Sequence, residues 1–206
     1  MTNPSSLPPL IAILRGLVPE GASDVGEALY EAGFRCLEVP LNSPRPLESI
    51  ERLRQRLDGR VLVGAGTVLS MAQVDDVAAA GGQIVISPNT CEKVIAHAKA
   101  RGLFVMPGFF TPSEAFAAIG AGADALKYFP AEVGGPVGLR AVKVVLPPEV
   151  PVYAVGGVDV GSVGDWIAVG AAGLGLGSAV FAPGMVPGDV SARAAAFVAA
   201  WRAADR

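Results

Sequence analysis

The feature that most constrains this chain is a repeated alternation of short apolar runs with helical stretches. The runs are Leu10–Leu14, Cys36–Pro40, Val61–Gly64, Ile84–Ser87, Phe104–Pro107, Ala125–Phe129, Val152–Val155 and Gly173–Leu176, and each is followed by a segment of helical character. The runs are short and almost continuously apolar, which is how a strand buried on both faces reads. Between them, Leu47, Ile50, Leu53 and Leu57 recur at helical spacing against a charged opposite face. Thr111-Pro112-Ser113-Glu114 has the form of a capping box with proline at the first helical position. Glycine-bearing turns, among them Glu31-Ala32-Gly33 and Gly120-Ala121-Gly122, close helices and lead directly into the next run. Strands that alternate with helices pair in parallel through helical crossovers. Eight such units without a long linker predict a compact α/β fold, a closed (β/α)8 TIM barrel. The whole chain, residues 1–206, is read as one barrel domain ending in a C-terminal helix from Pro187.

Composition narrows the function classes. A net charge of −3 with 17% charged residues leaves no clustered basic face for a phosphate backbone, so nucleic acid is not an expected partner. The arginines at 52, 54, 56 and 60 are interleaved with Glu48, Glu51 and Asp58 and read as a solvated helix face. No apolar run reaches the ~20 residues that cross a bilayer, so no membrane partner is expected. Met1–Pro9 lacks the pattern of a signal peptide. Cys36 and Cys91 form neither a disulfide framework nor a CxxC pair, and a reducing, cytoplasmic setting follows. The single histidine, His97, lies in a helical stretch and reads as a surface or packing residue; no metal-ligand pattern accompanies it.

One strand carries a charge where charges are rare. Lys127 sits inside Ala123-Asp124-Ala125-Leu126-Lys127-Tyr128-Phe129-Pro130. Taking an ammonium out of water is costly, its pKa falls, and the neutral amine becomes a nucleophile for carbonyls. The competing reading is a lysine on an edge strand that snorkels to solvent. Side chains alternate along a strand. A register with Lys127 inward also turns Ala125 and Phe129 inward. The matching sets are Ile11, Ile13 and Arg15 on the first strand, Cys36, Glu38 and Pro40 on the second, and Val61, Val63, Ala65 and Thr67 on the third. Arg15, Glu38, Thr67 and Lys127 then converge on the mouth at the strands' C-terminal ends, where such barrels place their sites. Each has a plainer alternative: Glu38 and Lys127 as a structural ion pair, Arg15 as a rim cap, and Thr67 as an N-cap for the helix near Leu69.

A second pocket is expected after the last two strands. Val155-Gly156-Gly157-Val158 and Gly175-Leu176-Gly177-Ser178 let backbone N–H groups approach a phosphate closely; the alternative is glycine for tight turns alone. A desolvated amine, a carboxylate and a phosphate cradle suit Schiff-base chemistry on a phosphorylated keto acid, with Glu38 moving protons. That chemistry requires no metal or other cofactor.

Six segments together resemble the KDPG/KDPGal aldolases. They are Ile13-Leu14-Arg15-Gly16, Leu37-Glu38-Val39-Pro40-Leu41-Asn42-Ser43-Pro44, Gly64-Ala65-Gly66-Thr67-Val68-Leu69, Ser87-Pro88-Asn89, Leu126-Lys127-Tyr128-Phe129-Pro130 and Ala154-Val155-Gly156-Gly157-Val158. The resemblance implies a trimeric class I aldolase of the Entner–Doudoroff type that forms pyruvate. It implies Lys127 as the Schiff-base lysine and Glu38 as the acid/base. It assigns the substrate's carboxylate end to Arg15 and Thr67, its phosphate to Gly156, Gly157, Gly177 and Ser178, and the pocket wall to Pro88 and Phe129. Two sister activities differ in the configuration at C4 of their substrates. Asn42 stands where the gluconate branch typically has arginine, and Val155 where it has threonine; both departures resemble the galactonate branch. Phe129-Pro130-Ala131-Glu132 is common in the gluconate branch as well, which leaves room for dual specificity. A non-catalytic phosphosugar-binding barrel and an isomerase remain the readings from other classes.

Overall fold

The computed structural model describes residues 7–205; Met1–Ser6, the larger part of the segment read for a signal peptide, lies outside the described residues, as does Arg206. The elements run β1 (Leu10–Ile13), α1 (Pro19–Ala32), β2 (Cys36–Pro40), α2 (Pro46–Leu57), β3 (Leu62–Gly66), α3 (Met71–Ala79) and β4 (Ile84–Ile86). They continue through α4 (Glu92–Ala100), β5 (Phe104–Met106), β6 (Gly108–Phe109), α5 (Pro112–Gly120), β7 (Leu126–Tyr128), α6 (Ala131–Lys143) and β8 (Val152–Val155). A 3-10 turn (Val160–Ser162), α7 (Val163–Ala168), β9 (Gly173–Leu176) and α8 (Pro187–Ala204) complete the chain.

The nine strands form one parallel sheet in the order β5-β4-β3-β2-β1-β9-β8-β7-β6, a nearly closed barrel ringed by helices. Nine appear where eight are expected because the fifth run is broken at Pro107, which has no N–H for a ladder. β5 pairs with β4 and β6 pairs with β7, so the kink spans the seam of the barrel. Single bonds stitch that seam: Asp124 N donates to Val105 O at 3.0 Å, and Lys127 N to Pro107 O at 2.9 Å. The expected capping box forms, with Glu114 N donating to Thr111 Oγ1 and Thr111 N to the Glu114 carboxylate at 2.8 Å.

The pleat sorts strand residues into two layers. Leu37, Val39, Leu126, Tyr128, Ala154 and Leu174 pack outward under the helices, while Ile11, Cys36, Ile86, Met106, Ala125 and Tyr153 fill the interior. Burying each large aliphatic side chain contributes ~1.5–3 kcal/mol, and this double layer supplies most of the apolar burial. Beyond the interior plug, a cavity lies at the C-terminal ends of the strands.

One strand departs from the expected register. On β3 the residues Val63 and Ala65 lie in the outer layer, and Leu62, Gly64 and Gly66 face inward. The interior has no room for a side chain at the two glycines. A Cβ on Gly64 would fall 2.0 Å from the Ile84 carbonyl oxygen, and one on Gly66 would fall 1.4 Å from Oε2 of Glu38. The branched residues take the outer face, where the helices accommodate their volume.

Candidate active site

β2 and β7 stand opposite each other, four steps apart around the sheet in either direction once the β5–β6 seam is counted as one strand. They bring Glu38 and Lys127 to the mouth, only 2% and 6% exposed. Burial drives both pKa values away from their ordinary ranges. Desolvation is the main cause of the fall at Lys127; the Arg15 charge lowers it further and the Glu38 charge opposes. Desolvation likewise raises Glu38, against the attraction of Lys127 and then of Arg15. Each group therefore feels the other across the mouth. A buried pair of this kind contributes little to stability, because the loss of hydration offsets the attraction.

The carboxylate is held by fit rather than by donors. Its Oε2 is buried and accepts no hydrogen bond among the described residues. It rests over Gly66, whose missing side chain makes the space. A buried polar atom without a partner costs free energy, and such sites call for a functional reason. Lys127 Nζ lies 4.7 Å from the centroid of the Phe129 ring, which shields it from solvent on that side.

A cavity of about 280 Å³ opens above these groups, lined by Arg15, Thr67, Pro88, Lys127, Phe129, Gly156, Gly157, Gly177 and Ser178. Every substrate-binding position expected from the sequence, and the lysine, is on this wall; Glu38 lies beneath it, coupled electrostatically to Lys127 and Arg15. The size suits a small substrate, just below the ~300–1,000 Å³ common for ligand pockets. A wider groove of about 440 Å³ on the flank, lined by Leu41, Pro46, Leu47 and Gln73 among others, brings none of these groups together.

Thr67 reaches the wall by an unexpected route. It follows β3 with φ +57, left-handed backbone that a β-branched residue rarely adopts, at a cost of ~1–3 kcal/mol. It does not cap the next helix: Ser70 does, accepting from Gln73 N at 3.3 Å. Across the mouth, Gly156 and Gly157 also have positive φ, 108 and 66, and turn the backbone after β8 toward the cavity.

Several lining or supporting roles escaped the sequence reading. Gly66 was legible as a glycine inside an apolar strand, a sign of close approach. Glu132, on the first turn of α6, lies against the Gly156–Gly157 turn and lines the cavity. Asn42 and Ser43 carry the rim: Arg15 Nη1 donates to Asn42 Oδ1 at 2.5 Å, and Gly16 N to Ser43 Oγ at 3.0 Å. Away from the site, His97 pairs with Asp75 on the surface at 3.0 Å, in keeping with its expected packing role. Among the described residues no group of three or more His, Cys, Asp or Glu is placed to hold a metal ion.

The family model for KDPG and KHG aldolase matches residues 5–193. The chain belongs to the KDPG and KHG aldolase family. It is 50% identical over 195 residues to a Rhizobium meliloti (strain 1021) protein named "Probable 2-dehydro-3-deoxy-6-phosphogalactonate aldolase", covering 95% of this chain and 92% of the relative. It is 45% identical over 196 residues to the 2-dehydro-3-deoxy-6-phosphogalactonate aldolase of Escherichia coli (strain K12), covering 95% and 96%. It superposes on a solved structure described as "Native KDPGal structure" with a TM-score of 0.95 and 44% identity, covering 98% of each chain. The chain thus shares the family's fold and is an aldolase.

Proposed function

We propose that this aldolase is a class I, Schiff-base enzyme that cleaves 2-dehydro-3-deoxy-6-phosphogalactonate to pyruvate and glyceraldehyde 3-phosphate. The observation that carries this reading is a buried lysine facing a buried carboxylate, with one carboxylate oxygen left without a partner among the described residues. Neutral Lys127 Nζ attacks the C2 carbonyl carbon, and the carbonyl oxygen takes up a proton to give a carbinolamine. Loss of water leaves a protonated imine. The C4 hydroxyl then gives up its proton, the C3–C4 bond breaks, and its electron pair flows into the imine to form an enamine. Glyceraldehyde 3-phosphate leaves. Protonation of the enamine at C3 and hydrolysis release pyruvate and regenerate the amine. Glu38 carries the protons in these steps, either directly or by way of a water molecule.

Arg15 and Thr67, at the ends of β1 and β3, hold the substrate's carboxylate. Gly156, Gly157, Gly177 and Ser178, after β8 and β9, hold the phosphate through backbone N–H groups and the serine hydroxyl. Pro88 and Phe129 form the walls between. Preference for the galactonate series is supported by Asn42 and Val155 and by the names of the similar proteins. The protein acts in galactonate degradation, joining the Entner–Doudoroff products, as a cytoplasmic homotrimer. The cytoplasmic setting is supported by two free cysteines, Cys36 and Cys91. The trimer is supported by family resemblance and by exposed apolar side chains on neighbouring segments, Phe110, Phe116, Val133 and Val137.

Incubation with pyruvate and borohydride tests the chemistry. A reduced adduct is expected on Lys127; an adduct on Lys143, whose Nζ donates to Gly170 O at 2.6 Å, or no adduct at all, would overturn the assignment. Comparing kcat/KM on the two C4 epimers tests the substrate. Higher efficiency on the gluconate epimer would replace the galactonate reading.

A further inference from the structure

We infer that Asn42 is a positioning residue for the keto acid's carboxylate, acting through Arg15: its amide oxygen fixes the guanidinium at the mouth without cancelling its charge. The inference rests on the aldolase reading and deepens it. The backbone beneath Arg15 is pinned from two sides. Beyond β1, Leu14 N donates to Glu38 O at 2.9 Å and Gly16 N donates to Ser43 Oγ at 3.0 Å. Ser43 is itself buried, and its N–H closes the turn onto Pro40 O at 2.9 Å. On the other side Pro183 Cγ lies 2.6 Å from where a Cβ of Gly16 would stand, at φ +82. The tail of β2 therefore holds the tail of β1 in place.

What remains free is the arginine side chain itself, which is exposed and rich in rotamers. The 2.5 Å bond from Nη1 to Asn42 Oδ1 removes that freedom. Immobilising a group before the ligand arrives is a saving the ligand otherwise has to supply. The choice of amide matters as much as the bond. An aspartate in this place would accept the same hydrogen bond and also neutralise the one arginine on the cavity wall among the described residues. The amide leaves that charge for an incoming carboxylate. The same charge also reaches Lys127 and Glu38, adding to the fall that burial causes at Lys127 and opposing the rise that burial causes at Glu38.

The test uses the intact protein and reads the pyruvate concentration that gives half-maximal borohydride trapping, together with kcat, KM and Tm. In N42A the half-saturating pyruvate should rise by about three- to tenfold, with KM following it and kcat changing less. N42D should lose at least as much, although it retains the acceptor. Combining N42A with R15A should add nothing to the loss caused by R15A alone, because Asn42 acts only through the guanidinium. A purely structural role would instead lower Tm and give additive losses. Unchanged half-saturation in N42A, a fully additive double variant, or N42D binding pyruvate as well as the wild type would each overturn the inference. If N42A does not fold, N42D alone still decides the charge argument. Failure of the wild type to form any adduct would sink the aldolase reading itself, which separates the two outcomes.

Discussion

Replacing Gly66 with alanine adds one methyl group at the point where the proposed acid/base is seated. The new Cβ would stand 1.4 Å from Oε2, 2.4 Å from Cδ and 2.9 Å from Oε1 of Glu38, whereas ordinary contact begins at 3.4 Å. Either β3 or the glutamate has to move by about 2 Å. β3 is held on both sides, with Glu38 paired to Gly64 and Pro40 to Gly66 on one edge and Gly64 to Ile84 on the other. Leu41 N also donates to Gly66 O at 2.8 Å. The carboxylate, which has no hydrogen bond to Oε2, is the softer partner and yields.

A displacement of that size takes Glu38 out of proton-transfer reach. Misplacement by ~1 Å costs on the order of 10²-fold, and loss of general acid–base catalysis costs ~10²–10⁴-fold. The expected fall in kcat for G66A is therefore about 10²–10⁴-fold, equivalent to ~3–5 kcal/mol of transition-state stabilisation. The three atoms nearest the new Cβ all belong to Glu38, so borohydride trapping with pyruvate should still mark Lys127, more slowly. The overpacked barrel should remain folded, less stable by ~1–3 kcal/mol. Steady-state release of pyruvate, mass spectrometry of the trapped protein and a thermal melt measure the three effects. Turnover within threefold of wild type in a folded G66A protein would refute the seating of Glu38 on Gly66 and its part in catalysis.

Glu38→Gln leaves the volume unchanged and removes the titrating oxygen; adduct formation should persist while kcat falls by ~10²–10⁴-fold, and undiminished turnover would take Glu38 out of the mechanism. The rate of imine formation with pyruvate should rise with pH and level off below 10.5, because burial first and Arg15 second lower the Lys127 pKa from that value. In the same interval the unfolded chain holds a proton that folded Lys127 has lost, so the site's contribution to stability should grow as pH rises through it, and the trend should vanish in K127M. An imine-formation profile that rises only near the ordinary lysine value would contradict the desolvated amine.

Much of this molecule is written in its apolar pattern, and the exceptions have physical causes. The alternation of runs and helices located all eight units, because a strand covered on both faces tolerates little but apolar side chains. The break at Pro107 was visible as a residue without an N–H, yet its consequence was not, since only the closed ring shows that the two halves serve different neighbours. The inward set on β3 was read from Val61, Val63 and Ala65, and the true inward set is Leu62, Gly64 and Gly66. In that strand hydrophobicity marks the face toward the helices. Beyond Leu62 the inner face is marked by two glycines, Gly64 and Gly66, whose lack of side chains pattern reasoning discounts.

The same inversion governs the site. Lys127 was legible because a charge in a buried strand is anomalous, and Glu38 followed by parity once Lys127 was turned inward. Thr67 was named among inward strand residues, but its place depends on a left-handed turn that no alternation rule anticipates. Its position on the cavity wall is therefore a property of backbone strain, as the seat of Glu38 is a property of a missing methyl group. Residues that act by what they lack, or by an unfavourable torsion, leave almost no trace in composition or periodicity. Those that act by charge in an apolar setting leave a strong one. An aldolase barrel needs both kinds. In the proposed mechanism Lys127, a charge in an apolar strand, is the amine kept from water, and Glu38, seated over Gly66, is the proton carrier held by shape.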